Sequence, residues 1–142
     1  MTTTRIDIQI RFGDVDMLRH VNNVNLQHYF DLGKSDFLRT VLGGFVQRGE
    51  GSELITASTA TSYLAQTRLD DHIYALTRLE KIGNKSFTLF QQLINAATGA
   101  VHAESRTVMV AFDFTLQQPV AIQPSWREAF EQAMREEDRP AL

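Results

Sequence analysis

One long helical pattern, set among segments that alternate with period two, is the feature that most constrains the fold of this chain. The pattern begins at about Asn23 and runs to Leu42, where Gly43 and Gly44 end it. Its apolar stripe is formed by Leu26, Phe30, Phe37 and Val41 and is widened by Tyr29, Leu32 and Leu38. A stripe this wide predicts a helix that is covered on most sides, with Asn22 as its N-cap.

The segments on both sides of this pattern predict strands. In residues 5–12, Ile6, Ile8, Ile10 and Phe12 fall on one side and polar residues on the other. Four further strands are predicted at residues 54–65, 73–82, 87–95 and 101–114. Because only short turns separate the last three, they should form an antiparallel meander.

The order of these elements predicts the fold class. Residues 124–135 predict a short C-terminal helix with Trp126, Phe130 and Ala133 on one face. Strand, long helix, four strands and short helix together predict an α+β fold, in which a five-stranded antiparallel sheet curls around one long central helix. The 142 residues contain no internal repeat or linker-like tract, so we expect a single domain over residues 1–142.

Composition excludes several classes of function. The chain has 14 basic and 17 acidic residues and no cysteine. The net charge argues against nucleic-acid binding by phosphate neutralisation, and the absence of cysteine excludes thiolate nucleophiles and cysteine-ligated metals. His28, His72 and His102 lack the spacing of metal ligands. We find no signal peptide and no segment apolar enough to cross a membrane, so we expect a cytoplasmic protein. We also expect no metal or redox cofactor.

The segment between the first strand and the long helix contains the residue types of acyl-transfer chemistry. Asp14, Asp16, His20, Asn22 and Asn23 lie within ten residues, directly before a helix N-terminus. A carboxylate can attack a carbonyl carbon or activate water, and helix N-terminal N–H groups can stabilise the oxyanion that forms. The same residues could instead only cap the helix and shape turns, so spacing alone leaves both interpretations open.

The stretch from Asp14 to Asn23 resembles the signature of hotdog-fold acyl thioesterases of the 4-hydroxybenzoyl-CoA thioesterase-like group. Asp16 stands just after the first strand and is followed by His20, Val21, Asn22 and Asn23. The same pattern occurs in the branch that contains long-chain acyl-CoA thioesterases and plant acyl carrier protein thioesterases. The similarity covers nearly the whole chain. It implies the hotdog fold, in which a curved sheet wraps around one helix, and hydrolysis of an acyl-CoA or acyl carrier protein thioester.

The resemblance also assigns roles to residues by position. Asp16 matches the catalytic carboxylate, which acts as a nucleophile or as a general base, and His20 matches a histidine that is catalytic in the plant branch. The oxyanion donor is expected to be a backbone N–H near the helix start, at Asn23 or Val24, with Asn22 fixing the loop. The full Asp-Asn-His set of the plant enzymes is absent here, because one of its positions is occupied by a leucine.

Substrate binding and assembly are further expectations. Lys81 and Lys85 flank the Gly83 turn and are candidates for binding CoA phosphates, while Arg68, Arg78 and Arg106, which lie on or beside strands, are weaker ones. The resemblance implies a homo-oligomer, a dimer or a dimer of dimers, with the cleft at a subunit boundary.

Two other functions stay open at this point. One is a hotdog enoyl-CoA hydratase, although this loop lacks the Asn-Pro and the spacing of those enzymes. The other is a non-catalytic acyl-thioester binding domain. The acyl length, the preference for aromatic or aliphatic groups, and the carrier are not determined by the sequence.

Overall fold

The computed structural model describes residues 1–43 and 52–135 and consists of one antiparallel sheet packed around a long helix. The elements in chain order are β1 (Thr3–Ile8), a single 3₁₀ turn (Phe12–Asp14), α1 (Asn23–Leu42), β2 (Glu53–Tyr63), β3 (Ile73–Ile82), β4 (Ser86–Asn95), β5 (Val101–Asp113), β6 (Gln118–Pro119) and α2 (Pro124–Arg135). The strand order is β1-β3-β4-β5-β2, and β6 pairs with β5. The predicted α+β hotdog arrangement is therefore confirmed, with one additional two-residue strand.

Helix α1 begins and ends where the sequence predicts. The Asn22 side chain accepts a hydrogen bond from the Val24 N–H at 2.8 Å, which confirms the N-cap. At the other end Gly43 adopts φ 80°, a left-handed conformation that glycine reaches without strain, while Gly44 lies outside the described residues. Leu32 is 52% exposed, so the helix is less fully covered than its stripe suggested.

A close contact at Gly33 fixes the distance between α1 and the sheet. A Cβ atom at Gly33 would lie 3.0 Å from the Ala75 Cβ and 3.1 Å from the Gln91 Nε2. The buried Gln91 amide in turn donates to the Phe30 carbonyl at 2.8 Å and to the Thr77 hydroxyl at 3.0 Å. Because a buried amide needs such partners, this contact ties the middle of the helix to β3 and β4.

The apolar core lies between α1 and the sheet in two clusters. One cluster is next to α2 and includes Phe37, Phe87 and Phe130, whose rings are fully buried. The other surrounds the first half of α1 and includes Tyr29 and Phe30. The second cluster supports the N-terminus of α1, where the predicted chemistry is located. Within the described ranges, no helix is long and apolar enough to span a bilayer.

The first strand ends earlier than predicted. Alternation suggested a strand through Phe12, but β1 stops at Ile8, and Phe12 begins the 3₁₀ turn with 86% of its surface exposed. β1 ends there because Ile8 pairs with Ile73, the first residue of β3, so β3 offers no partner to the residues after Ile8. The Asp14 carboxylate then accepts a hydrogen bond from the Arg11 N–H at 3.1 Å, which holds the 3₁₀ turn.

Candidate active site

The loop between β1 and α1 is anchored by Asp14, which is only 2% exposed. Its carboxylate accepts hydrogen bonds from the Tyr29 hydroxyl at 2.6 Å, from the Arg11 guanidinium at 3.0 Å and from the Arg11 N–H at 3.1 Å. Tyr29 lies in the second turn of α1, so the contact joins the start of the loop to the helix that follows it.

These contacts keep Asp14 ionised. Burial by itself raises the pKa of Asp14, but the hydrogen bonds from Tyr29 and Arg11 outweigh it and hold the pKa below its ordinary value. Burial, together with the hydrogen bond to Asp14, raises the pKa of Tyr29 well above that of a free phenol. At neutral pH the pair is therefore a carboxylate that accepts from a neutral phenol.

The main chain of Asp14 closes the loop onto the start of α1. Its carbonyl accepts from the Asn22 N–H at 3.0 Å and from the Asn25 side-chain amide at 3.1 Å. Val15 and Val21 form an isolated antiparallel bridge. Residues 16–20 therefore form a short loop whose two ends are fixed beside the helix N-terminus.

Asp16 is the first residue of that short loop. Its N–H donates to the His20 carbonyl at 3.1 Å, and its carbonyl accepts from the Arg19 N–H at 3.0 Å. One carboxylate oxygen accepts from the Leu18 N–H at 2.8 Å. Asp16 is exposed in the single chain, and it lines two clefts.

The two clefts adjoin each other across Asp16, Leu18 and His20, which line both. The first cleft has a volume of about 560 Å³, and its other walls are Phe12, Val15, Arg19, Arg68, Leu69 and Asp70. The second cleft has a volume of about 390 Å³, and its other walls are Val21, Asn22, Asn23, Leu26 and residues 63–67. The structure thus brings Asp16, His20, Asn22 and Asn23 together at one place.

The two candidate oxyanion donors differ in what they already bind. The Val24 N–H donates to the Asn22 side chain at 2.8 Å and is therefore occupied. In the described part of the chain, the Asn23 N–H has no hydrogen-bond partner, and Asn23 lines the second cleft. An N–H in the first turn of a helix has no acceptor within the helix itself, so the Asn23 amide is available to a ligand.

Residues 64–67, which follow β2, form the far wall of the second cleft. The Thr67 carbonyl accepts from the Val21 N–H at 2.7 Å, and the Thr67 hydroxyl lies 2.8 Å from the Nδ1 of the buried His102. The His102 carbonyl accepts from the N–H groups of Leu64 and Ala65. Sequence reasoning identified neither Thr67 nor this pairing, because the partners are far apart in the chain and no local pattern joins them.

The structure separates the predicted lysines from this site within one chain. The loop between β1 and α1, which we call the Asp16 loop, begins at the end of the sheet where Ile8 pairs with Ile73. Lys81 lies eight residues after Ile73 on β3, which places it roughly 26 Å from Ile73 at about 3.3 Å per residue. Lys85 lies on the turn beyond it. The basic residues that line the clefts are instead Arg19 and Arg68.

Comparison with known families identifies the chain. A family model described as the thioesterase-like superfamily matches residues 10–130, which is most of the sequence. The chain belongs to the thioesterase-like superfamily. It is therefore a thioester hydrolase, as the resemblance predicted. No curated protein matches the sequence.

Solved structures show the same fold. The PA5185 protein of Pseudomonas aeruginosa is 26% identical, with a TM-score of 0.80 over 92% of this chain and 90% of that one. A 1,4-dihydroxy-2-naphthoyl-CoA (DHNA-CoA) thioesterase of Staphylococcus aureus is 16% identical, with a TM-score of 0.84 over 94% and 92%. A hypothetical protein from Staphylococcus aureus in complex with CoA is 15% identical, with a TM-score of 0.87 over 99% and 89%.

Proposed function

We propose that this thioesterase hydrolyses an acyl-CoA, or an acyl carrier protein thioester, to a carboxylic acid and a free thiol, with Asp16 as the catalytic carboxylate. The observation that carries the proposal is that Asp16 lines the same cleft as Asn23, the first residue of α1, whose N–H has no partner in the described residues. A thioester carbonyl placed between them would have an attacking group on one side and an oxyanion donor at its oxygen.

The reaction needs no group beyond these residues and water. With Asp16 as a general base, its carboxylate takes a proton from water while the water oxygen attacks the thioester carbon. The tetrahedral oxyanion accepts a hydrogen bond from the Asn23 N–H, and its collapse breaks the carbon–sulfur bond and releases the thiolate, which takes up a proton. With Asp16 as a nucleophile, an acyl anhydride forms first and water then hydrolyses it.

His20 and Asn22, which line the second cleft together with Asp16, are proposed to assist the reaction. His20 lines both clefts, so its ring can contact the substrate or carry the proton that the leaving sulfur takes up. Asn22 caps α1 by occupying the Val24 N–H, so that of the two expected donors the Asn23 N–H is the one left free for the oxyanion. The proposal therefore combines Asp16 as the catalytic carboxylate with the Asn23 N–H as the oxyanion donor, where the sequence left Asn23 and Val24 as alternatives.

We also propose that the enzyme is a cytoplasmic single-domain protein and that its working form is a homo-oligomer, a dimer or a dimer of dimers. Around the clefts, Met17 is 97% exposed and Leu18 74%, while Val24 and Leu64 are also largely exposed. Such a concentration of exposed apolar side chains is typical of surfaces that are covered in an assembly. Light scattering after size exclusion should give a mass of at least two chains at micromolar concentration.

The decisive experiment is a thiol-release assay over a series of acyl-CoA chain lengths. Asp16→Asn should lower kcat about 100-fold or more, because the amide neither attacks nor accepts the proton. Asp7→Asn is the matched control, since Asp7 is an exposed aspartate on β1 and should keep wild-type activity. Full activity of Asp16→Asn would remove the assignment.

The same assay separates the alternative functions. A hydratase would consume the enoyl absorbance of a trans-2-enoyl-CoA without releasing thiol. A binding domain would bind acyl-CoA without turnover, and Asp16→Asn would leave its affinity unchanged.

A further inference from the structure

Two arginines that have no side-chain partner in the described residues, Arg19 and Arg68, line the same cleft. Arg11 pairs with Asp14, Arg106 pairs with Glu80, and Arg127 donates to two carbonyls of the β3–β4 turn. Within residues 1–43 and 52–135, the guanidinium groups of Arg19 and Arg68 have neither an ion pair nor a hydrogen bond. Both line the first cleft, next to Asp16.

The backbones of these two residues are nevertheless held in place. Arg19 adopts φ 66°, an uncommon left-handed conformation for a residue with a side chain, and its N–H donates to the Asp16 carbonyl at 3.0 Å. The Arg68 N–H donates to the Asp71 carboxylate at 2.8 Å, and the Asp71 N–H donates back to the Arg68 carbonyl at 3.1 Å. Two fixed main-chain positions therefore present two uncommitted guanidinium groups to one cleft.

The remaining lining of the cleft fits a ligand that is both charged and apolar. Phe12, Leu18 and Leu69 contribute exposed apolar surface, while Asp16 and Asp70 do not lie within ion-pair distance of either guanidinium in the described residues. A guanidinium binds phosphate and carboxylate oxygens through two parallel hydrogen bonds. A volume of about 560 Å³ is within the range of small-molecule sites.

We propose that this cleft binds an anionic oxygen group of the substrate, held by Arg19 and Arg68. The inference rests on the proposed function, because it makes the anion part of the molecule whose thioester lies at Asp16. Two parts of such a substrate can supply the anion: a phosphate of the carrier arm, or a carboxylate on the far end of the acyl group. In either case these arginines, rather than Lys81 and Lys85 of the same chain, select the substrate by charge.

The test uses four ligands that contain no thioester, so binding is measured without turnover. They are CoA, pantetheine, S-pentylpantetheine and S-(4-carboxybutyl)pantetheine, titrated calorimetrically into the full-length protein. Arg19→Gln, Arg68→Gln and the double variant are compared with the Lys81→Gln/Lys85→Gln variant and with Arg5→Gln, which lies on β1. Arg19→Lys keeps the positive charge and checks that position 19 tolerates substitution.

Each result has a defined meaning. If the carrier supplies the anion, the Kd of CoA rises about tenfold or more in Arg19→Gln and Arg68→Gln while that of pantetheine is unchanged. If the acyl group supplies it, the same rise is confined to the carboxybutyl ligand and is absent for the pentyl ligand. Equal affinities for charged and neutral ligands in the wild type, or a loss only in the lysine variant, would overturn the proposal. An arginine-dependent anion preference in a protein that releases no thiol would leave the site standing and remove the proposed function.

Discussion

The Tyr29 hydroxyl donates a 2.6 Å hydrogen bond to the Asp14 carboxylate, and this contact links the first residues of the Asp16 loop to the second turn of α1. Because both groups are buried, loss of the hydroxyl leaves a carboxylate with one fewer donor. We expect Tyr29→Phe to lower the free energy of unfolding by about 1–3 kcal/mol. Urea denaturation measures this, with Tyr74→Phe as the control, since the Tyr74 ring instead stacks under Arg5.

The same substitution should affect catalysis more than substrate binding. Asp14 does not line either cleft, but its carbonyl holds Asn22, and Asn22 directs the helix N-terminus. A loosened loop should therefore lower kcat several-fold with little change in KM. An unchanged kcat together with a lowered melting temperature would assign the Asp14–Tyr29 contact to stability alone.

Stability should depend on pH through Asp14. Its folded-state pKa lies below the ordinary value, so the unfolded chain binds the proton more tightly. The contribution is fully present above the unfolded-state pKa, near 4, and is lost as the pH falls through the folded-state pKa. The free energy of unfolding should consequently fall as the pH is lowered from about 5 to below the unfolded-state pKa, and Asp14→Asn should show a smaller fall over that range. Equal slopes for the two proteins would contradict this account.

Sequence periodicity located the elements but not the contacts that end them. β3 was predicted with its observed bounds, and its buried and half-buried residues alternate from Ile73 to Glu80, where the pairing with β4 becomes irregular. Phe12 was placed in β1 because it continued an apolar alternation, which contains no information about where the partner strand β3 begins or about the hydrogen bond from the Arg11 N–H to the Asp14 carboxylate. β6 pairs only two residues, Gln118 and Pro119, with β5, which is too short to give a periodic signal.

The candidate site shows the same division between local and long-range information. Asp16, His20, Asn22 and Asn23 are close in sequence, so their proximity at one cleft could be predicted. Lys81 and Lys85 could not be placed, because only the strand register shows which end of the sheet they occupy. Tyr29 was read as a core residue of the helical stripe, and its hydroxyl partner, 15 positions earlier, could not be inferred from spacing.

The N-cap of α1 provides a test of the oxyanion donor. Asn22→Ala removes the acceptor of the Val24 N–H and should cost about 1 kcal/mol of stability. It also releases a second amide beside Asn23 and allows the first turn to fray, so kcat should fall. Asn22→Ser keeps a capping oxygen and should restore most of both properties. If Asn22→Ala destabilises the protein and kcat is unchanged, the helix N-terminus does not contribute to the reaction.

The contact at Gly33 predicts a substitution whose effect has the opposite sign from helix propensity. In an ordinary helix, Gly→Ala stabilises by about 1 kcal/mol. Here the added Cβ would meet the Ala75 Cβ at 3.0 Å and the Gln91 and Thr77 polar atoms at 3.1 Å, so these side chains or α1 would have to shift by a few tenths of an ångström in a closely packed place. We therefore expect Gly33→Ala to destabilise by about 1–3 kcal/mol. Ser35→Ala, at an exposed position of α1, is the control and should be neutral or slightly stabilising. A shift of α1 would also move the Asn23 N–H, so thiol release should fall in Gly33→Ala and not in Ser35→Ala. If Gly33→Ala instead raises the free energy of unfolding, the helix does not pack closely against the sheet at this point.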